Sequence, residues 1–363
     1  FFFKQKTAYE ITVWLEFRRV LFRSDISILD SLAKESIKFI IWFLSNLLRV
    51  NSLIDLDNIS EEEWYEVKKT HAENLLTIIR LDKRLSNEKY YSLINNIGKV
   101  TSVSLSSLNG LNKTTSLEDF EYLKVLDSNL TIDKKHRYLT RVTSLKDENN
   151  VPLGSFDDGE LLWHSNNSGV IEFNPGIALM GYQSMIGSAT GFMQTADYFD
   201  SLSDSFKKEL MDMIVVHNYK PGMVNPIPVP DQELIYKVGF CPEENSKLPL
   251  VIKSPSGIIG LHFPLNTVDY IDGMTKKESD KLINKIKNEL FVEKYIYDYW
   301  WENNYNILLF DNSITLHRRL IKGNTCGDRI AYRLPFSYES LYGYYDPYFQ
   351  EKYSSLRKER CNE

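Results

Sequence analysis

Short apolar segments of strand length, separated by turn residues, constrain the fold of this chain more than any other feature. The segment NILLFDN (306–312) ends in an Asp-Asn turn, and the segment DRIAYRLPF (328–336) alternates its side chains between two faces. Shorter segments of the same kind occur at 76–81, 138–142 and 160–163. Many short strands with a few peripheral helices predict an α+β chain, in which a double-stranded β-helix (jelly-roll) core carries flanking helices.

Helices are predicted where a capping residue precedes an amphipathic pattern. Ser60 and Glu63 form a Ser-x-x-Glu capping box ahead of one helix, and Thr275 and Glu278 form a second box ahead of another. Two further helices are predicted at 85–98 and at 200–213. Four prolines between Asn218 and Gln232 exclude regular structure from that segment, which makes it a candidate lid over a site.

Composition excludes several classes of protein. With 363 residues and 43% apolar content, the chain can bury a large core, and a formal charge of −6 without a basic run argues against nucleic-acid binding. Three cysteines without a CxxC pair argue against a disulfide framework or a zinc site and favour the reducing cytoplasm. The apolar run 37–50 is interrupted by polar residues, whereas a membrane span needs roughly 20 apolar residues, so no membrane association is predicted.

Three separate segments carry residues that suit one catalytic centre. His164 and Asn166 lie two apart, so an extended segment projects both from one face, as two ligands of one metal would require. His317 follows the Asp-Asn turn of the 306–312 segment. Arg329 and Arg333 share one face of the last predicted strand, about 13 Å apart, which implies two different anionic or polar partners. Taken singly, a His-x-Asn pair is more often a hydrogen-bonded loop, and such arginines are more often structural ion pairs.

The order and spacing of these motifs resemble the taurine dioxygenase (TauD/TfdA-like) family. The resemblance extends in order and without large gaps from about Leu53 to about Phe336. It includes flanking stretches such as DLDNISEEEWYEV, SPSGIIGLHFP and YWWENNYNILLFDN. The motifs that carry it are WHSN (163–166), GSAT (187–190), FDNSITLH (310–317) and the R-x-x-x-R of 329–333.

The resemblance implies an iron(II)- and 2-oxoglutarate-dependent dioxygenase that uses O2 to oxidise a small polar or anionic metabolite. Hydroxylation is the expected kind of oxidation. Carried over by position, His164 and His317 would ligate Fe(II), and Thr190 and Arg329 would hold the distal carboxylate of 2-oxoglutarate. Arg333 would face the primary substrate. This fits the chemistry of the side chains, since a guanidinium matches a carboxylate with two parallel hydrogen bonds and a threonine hydroxyl adds a neutral donor.

Four regions are expected along the chain. Residues 1–24 resemble translated sequencing-library adapter and are left out of the fold prediction, and residues 25–50 form an N-terminal helical segment. Residues 51–340 are the expected oxygenase domain, and 341–363 a C-terminal tail. The tyrosines of 338–353 suit either packing over the barrel or contacts between subunits, so the sequence leaves a homo-oligomer open.

Asn166 departs from the family, which has a carboxylate at this position. Its amide oxygen can ligate a metal but is neutral, so the affinity for iron(II) should fall. Three explanations stay open: weaker ligation or substitution by a nearby acid, altered chemistry at an opened iron position, and a sequencing error that replaces Asp. Halogenating relatives carry a small residue here, and asparagine is not small.

Glu160 is a candidate substrate contact, because even spacing would place it on the face of His164 and the family alignment puts a substrate-binding residue there. A solvated acidic loop with Asp157 and Asp158 is the more ordinary explanation. Two rivals to the oxygenase also remain: a catalytically impaired jelly-roll protein that binds a small ligand, and a cupin-like metal protein that uses no 2-oxoglutarate.

Overall fold

The structure is a computed structural model. Its contacts divide the chain into two units, Phe1–Arg49 and Val50–Glu363. Every residue that the structure describes belongs to the second unit. The predicted segments 1–24 and 25–50, the Pro-rich loop beyond Asn218 and the Tyr-rich tail lie outside the described residues. No helix in the described part of the chain is long and apolar enough to cross a membrane. The residues described are 60–100, 139–143, 145, 148, 153, 160–166, 175–218, 245–321 and 328–337.

Three of the predicted helices are confirmed: α1 (Glu61–Asn74), α2 (Asn87–Ile97) and a long one that begins at Lys276. Ser60 Oγ accepts from the backbone N–H of Glu63 at 3.2 Å, and the Glu63 carboxylate accepts from the backbone N–H of Ser60 at 2.8 Å. The second capping box forms in the same way. Local hydrogen bonds therefore determine where these helices start.

The prediction of one helix at 200–213 is wrong, because two short helices occupy this stretch: α3 (Thr195–Ser201) and α4 (Asp204–Met211). Ser203 lies between them in an extended conformation, and its hydroxyl accepts from the backbone N–H of Phe206 at 3.4 Å. An N-cap serine inside an otherwise helical pattern therefore starts a new helix. The long helix that begins at Lys276 is α5 (Lys276–Leu290).

Fifteen strands form in the described residues, and they include all five segments predicted as strands. The sequence pattern does not predict the central strand β5, whose two glycines and one alanine have low strand propensity. The strands are β1 (Leu76–Ile79), β2 (Lys99–Val100), β3 (Thr140–Val142), β4 (Leu161–His164), β5 (Gly176–Gln183), β6 (Ser188–Gln194), β7 (Ile214–His217), β8 (Ser246–Pro249), β9 (Val251–Lys253), β10 (Ile259–Leu261), β11 (Val268–Ile271), β12 (Ile296–Trp300), β13 (Ile307–Asp311), β14 (Thr315–Ile321) and β15 (Ile330–Ser337).

Two antiparallel sheets organise the domain. A six-stranded sheet has the order β1-β13-β5-β15-β2, with β3 also paired to β15, and a four-stranded sheet has the order β12-β6-β14-β4. Smaller sheets, β11-β7-β8 and β10-β9, complete the described strands. The mixed helix-and-sheet architecture with antiparallel sheets agrees with the predicted α+β class.

The two larger sheets share an apolar core. Ile177 of β5 and Phe310 of β13 belong to the same buried cluster as Phe192 of β6, and the rings of Phe192 and Phe310 lie 5.1 Å apart. Alternate residues of the six-stranded sheet, such as Leu309, pack on its other face against α1 and α2. Burial on both faces explains why β13 is apolar from Ile307 to Phe310. The face that holds Phe192 also carries the candidate catalytic residues.

Candidate functional site

The fold brings the two predicted histidines together. His164 is the last residue of β4 and lies directly opposite His317 of β14 in the antiparallel ladder. Their ring centroids are 4.1 Å apart, and the side chains are buried, with relative exposures of 3% and 8%. Residues far apart in sequence therefore form one imidazole pair at the core between the sheets.

A hydrogen bond determines the orientation of the His164 ring. Its Nδ1 lies 2.7 Å from the backbone carbonyl of Leu162, which can only accept, so Nδ1 carries the hydrogen. Nε2 then keeps its lone pair. Histidine ligands of metals commonly donate their other ring N–H to a backbone carbonyl in this way, so the geometry of His164 is compatible with its prediction as a metal ligand.

Both imidazoles are held neutral. Burial, and to a smaller extent the nearby charges of Arg319 and Arg333, lower the pKa of His164 to about 4, although the hydrogen bond to Leu162 opposes this shift. The pKa of His317 falls well below its ordinary value, through burial first and then through the charges of His164 and Arg333. At neutral pH both rings are therefore in the protonation state that a metal ligand requires.

Asn166 lies at the same place, fixed by its backbone. Its N–H donates to the Asn312 side-chain oxygen at 2.9 Å, and the Asn312 amide donates to the Asn166 carbonyl at 2.7 Å. Asn312 belongs to the turn that follows β13, so the FDN motif attaches the residues after β4 to the six-stranded sheet. Sequence analysis placed Asn312 in a turn and did not predict this role.

The Asn166 side chain contacts both His317 and Arg333. Its Oδ1 accepts from Arg333 Nη1 at 2.8 Å, and its Nδ2 lies 3.2 Å from His317 Nε2. Arg333 also donates through Nε to Thr140 Oγ1 at 3.3 Å. Burial lowers the pKa of Arg333 to about 10, which leaves the guanidinium charged at neutral pH. Among the described residues, no group of three or more His, Cys, Asp or Glu side chains is placed to hold a metal.

Thr190 and Arg329 are both buried, as residues of an internal site should be. Thr190 is on β6, and its hydroxyl accepts from the indole N–H of Trp301 at 3.1 Å. Arg329 immediately precedes β15. Their shared contact with a carboxylate of 2-oxoglutarate stays a prediction.

Arg319 is a third buried arginine near this site that the sequence analysis did not single out. It lies opposite Thr190 in the β14–β6 ladder and two residues beyond His317, on the same strand face. The signal was present in the sequence as the second arginine of LHRR. Period-2 alternation from His317 would have found it.

Glu160 does not share the face of His164 by simple alternation. A bulge in the β14–β4 pairing places both Leu161 and His164 opposite β14, and Leu162 is exposed. Glu160 itself is exposed at the entrance to β4. The even-spacing argument is therefore wrong, and the contact of Glu160 with substrate stays a prediction.

The remaining described histidines are buried in the core. His71 is buried in α1, and His217 and His262 have ring centroids 5.5 Å apart. Their Nδ1 atoms bond the Thr267 hydroxyl and the Ser313 carbonyl. The proximity of His217 and His262 was not predicted, because it depends on the pairing of distant strands. His136 lies outside the described residues.

Comparison with known proteins gives a consistent result. A taurine dioxygenase from Burkholderia xenovorans superposes with a TM-score of 0.53 at 16% identity, covering 80% of this chain and 88% of that one. AAD-2 in complex with Mn(II) and N-oxalylglycine superposes with a TM-score of 0.52 at 18% identity, covering 78% and 91%. At these identities the similarity establishes the fold alone.

The family model described as taurine catabolism dioxygenase TauD, TfdA family matches residues 53–333. No curated protein sequence matches the chain. The family match covers more than half of the chain and contains every candidate residue. The chain therefore belongs to the TauD/TfdA family.

Proposed function

We propose that this protein is an Fe(II)- and 2-oxoglutarate-dependent dioxygenase with a jelly-roll core, and that it hydroxylates a small polar or anionic metabolite. The observation that carries the proposal is the neutral, buried pair of His164 and His317, opposed across β4 and β14 in a chain of the TauD/TfdA family. AAD-2, a structural neighbour, carries Mn(II) and N-oxalylglycine.

Iron(II) would be held by His164 and His317, and the residues present fit it unequally. His164 fits better, because its Nδ1 hydrogen is donated to Leu162 and the lone pair of the neutral ring is therefore on Nε2. His317 offers Nε2, which is currently an acceptor for the Asn166 amide. When bound, the metal supplies O2 activation coupled to the oxidation of 2-oxoglutarate to succinate and CO2.

The charge of the interior favours anionic ligands. Arg319 lies on β14 and Arg333 on β15, and Arg329 immediately precedes β15; Arg319 and Arg329 are almost fully buried. Burying cations is costly unless an anion compensates them. We assign Arg329 and Thr190 to the distal carboxylate of 2-oxoglutarate, and Arg333 to a polar or anionic group of the substrate. The cupin-like rival uses no 2-oxoglutarate and therefore assigns no carboxylate to Arg329 and Thr190.

The Thr190 hydroxyl is prepared to donate. Its oxygen accepts the indole hydrogen of Trp301, so the hydroxyl hydrogen is free to turn towards a carboxylate. Thr190 and Arg329 would thus supply one neutral and one charged donor. Arg333 is distinct from them, since it contacts Asn166 beside the histidines.

Anaerobic addition of iron(II) and 2-oxoglutarate tests this function. We expect the visible charge-transfer band of a chelated 2-oxo acid, and succinate when O2 is admitted. Arg329→Ala should abolish both signals at the same 2-oxoglutarate concentration. If the native protein shows neither the band nor succinate, the proposed function is wrong.

One observation favours a second candidate, a catalytically impaired relative that still binds a small ligand. Asn166 presents an amide nitrogen, and not a carboxylate oxygen, to His317. Under this alternative, 2-oxoglutarate binds with an affinity that does not depend on iron(II). Calorimetric titration with and without the metal separates the two candidates.

A further inference from the structure

The side chains of Arg333, Asn166 and His317 form a continuous hydrogen-bonded chain. A guanidinium has donors only, so the Asn166 atom 2.8 Å from Arg333 Nη1 must be the oxygen. The amide nitrogen is thereby directed at His317 Nε2, 3.2 Å away. Because that nitrogen donates, Nε2 accepts, and the lone pair that would bind a metal is used by Asn166.

We propose that Arg333 is a positioning residue that keeps Asn166 away from the metal, and that an anionic substrate group which engages Arg333 releases it. The inference rests on the proposed function and deepens it. The oxygen is the only metal-ligating atom of the amide, and Arg333 holds it. Metal ligation by Asn166 therefore requires the Arg333–Asn166 hydrogen bond to break.

The rearrangement needed is small. Two hydrogen bonds to Asn312 fix the Asn166 backbone, so the backbone cannot move easily. A half-turn of the side-chain amide exchanges its oxygen and nitrogen and points the oxygen at the metal position between the histidines. Arg333 has one other described anchor, a 3.3 Å bond to Thr140, which leaves it able to turn towards an anion.

The chemical class of the releasing ligand follows from the guanidinium. Its planar fork matches a carboxylate, sulfonate or phosphate group through two parallel hydrogen bonds, which is stronger than one bond to a neutral amide. Anion binding at Arg333 and metal binding at the histidines are thus positively coupled, and the coupling is reciprocal. A carboxylate at position 166 would lack this device, because one oxygen could accept from Arg333 while the other ligates the metal.

A double-mutant cycle with Co(II) as the probe tests the inference. Co(II) affinity is measured by its visible absorbance, without 2-oxoglutarate, in the native protein, Arg333→Met, Asn166→Asp and the double variant. Removing Arg333 should raise the Co(II) affinity of the native protein by at least about tenfold, which is the order of magnitude by which residues next to metal ligands commonly alter metal affinity. Loss of the positive charge contributes in both backgrounds, so a gain should remain when residue 166 is Asp, but it should be smaller.

Two matched variants complete the design. Arg329→Gln removes a buried cation that makes no hydrogen bond to Asn166, so its effect on Co(II) affinity measures the charge alone and should be the smaller one. Thr140→Val keeps the charge of Arg333 but removes its second anchor. This variant should raise Co(II) affinity about two- to threefold. It replaces Arg333→Met in the test if Arg333→Met does not fold.

The outcomes distinguish failure of the inference from failure of the function. If Asn166→Asp binds Co(II) but loss of Arg333 changes affinity equally in both backgrounds, the positioning role is overturned and the metal site stands. If no variant, including Asn166→Asp, binds Co(II), both proposals fall. A larger gain in the asparagine background supports the inference.

Discussion

The imidazole of His164 lies directly opposite that of His317 across the β4–β14 ladder, with ring centroids 4.1 Å apart. A backbone carbonyl orients the first ring, and an asparagine amide contacts the second. The two halves of the candidate metal site are therefore unequal, and the asymmetry originates in residue 166.

Replacing Asn312 with alanine should loosen Asn166. The variant loses both the acceptor for the Asn166 N–H and the donor to its carbonyl, in a buried place where unsatisfied groups cost about 1–3 kcal/mol each. We expect a lower melting temperature, measured by thermal unfolding. Asn312→Asp keeps the acceptor, so its melting temperature should fall less. An equal decrease in melting temperature in both variants would contradict the role of Asn312 in holding the Asn166 backbone.

Trp301→Phe should weaken the binding of 2-oxoglutarate. The substitution removes the indole N–H that donates to Thr190, so the threonine hydroxyl loses its fixed orientation. One neutral hydrogen bond contributes about 1 kcal/mol, which corresponds to about fivefold in the dissociation constant. Trp300→Phe is the matched control, because Trp300 is partly exposed, at 38%, on the adjacent position. If Trp301→Phe leaves the dissociation constant of 2-oxoglutarate unchanged, the proposed contact between Thr190 and the co-substrate is contradicted.

Arg329→Ala should prevent 2-oxoglutarate from binding at millimolar concentration, since the charged partner of its distal carboxylate is lost. Arg80→Ala is a suitable control. Arg80 forms a 3.1 Å ion pair with Glu302 at the surface, and such pairs contribute about 0–1 kcal/mol. Isothermal titration calorimetry of both variants measures the difference. Retained binding in Arg329→Ala would remove Arg329 from the co-substrate site.

Stability should fall as the pH drops from about 6.5 to about 4. Burial lowers the pKa of His71 to about 4, and the pKa values of His164 and His262 are lowered similarly. The pKa of a histidine in the unfolded chain is about 6.5. Between these values the unfolded chain binds more protons than the folded one, so protonation favours unfolding. The stabilisation is fully present above the unfolded pKa and is lost towards the folded pKa.

The variant His71→Gln isolates one contribution to this pH dependence. His71 should lower the free energy of unfolding of the native protein by about 2 kcal/mol at pH 5 relative to pH 7. The variant should lack this decrease. Urea unfolding of both proteins at the two pH values measures the difference. An identical pH dependence in native protein and variant would mean that His71 protonates equally in both states.

The sequence determined those features whose cause is local. The capping boxes at Ser60 and Thr275 predict where their helices begin, because the bonds join residues three apart. The apolar pattern of 306–312 predicts a buried strand, and the ordered motifs predict the family. The helix at 200–213 was predicted wrongly, since a serine cap and a continuing helix differ only in context.

The tertiary structure decided everything that depends on strand register or on a distant hydrogen-bond partner. The bulge opposite β14 placed Glu160 away from the His164 face, although even spacing suggested otherwise. Asn166 is visible in the sequence as a missing carboxylate, but the direction of its amide is set by Arg333, which lies on another strand. An amide has one donor end and one acceptor end, so only the folded neighbours determine which end faces the metal position.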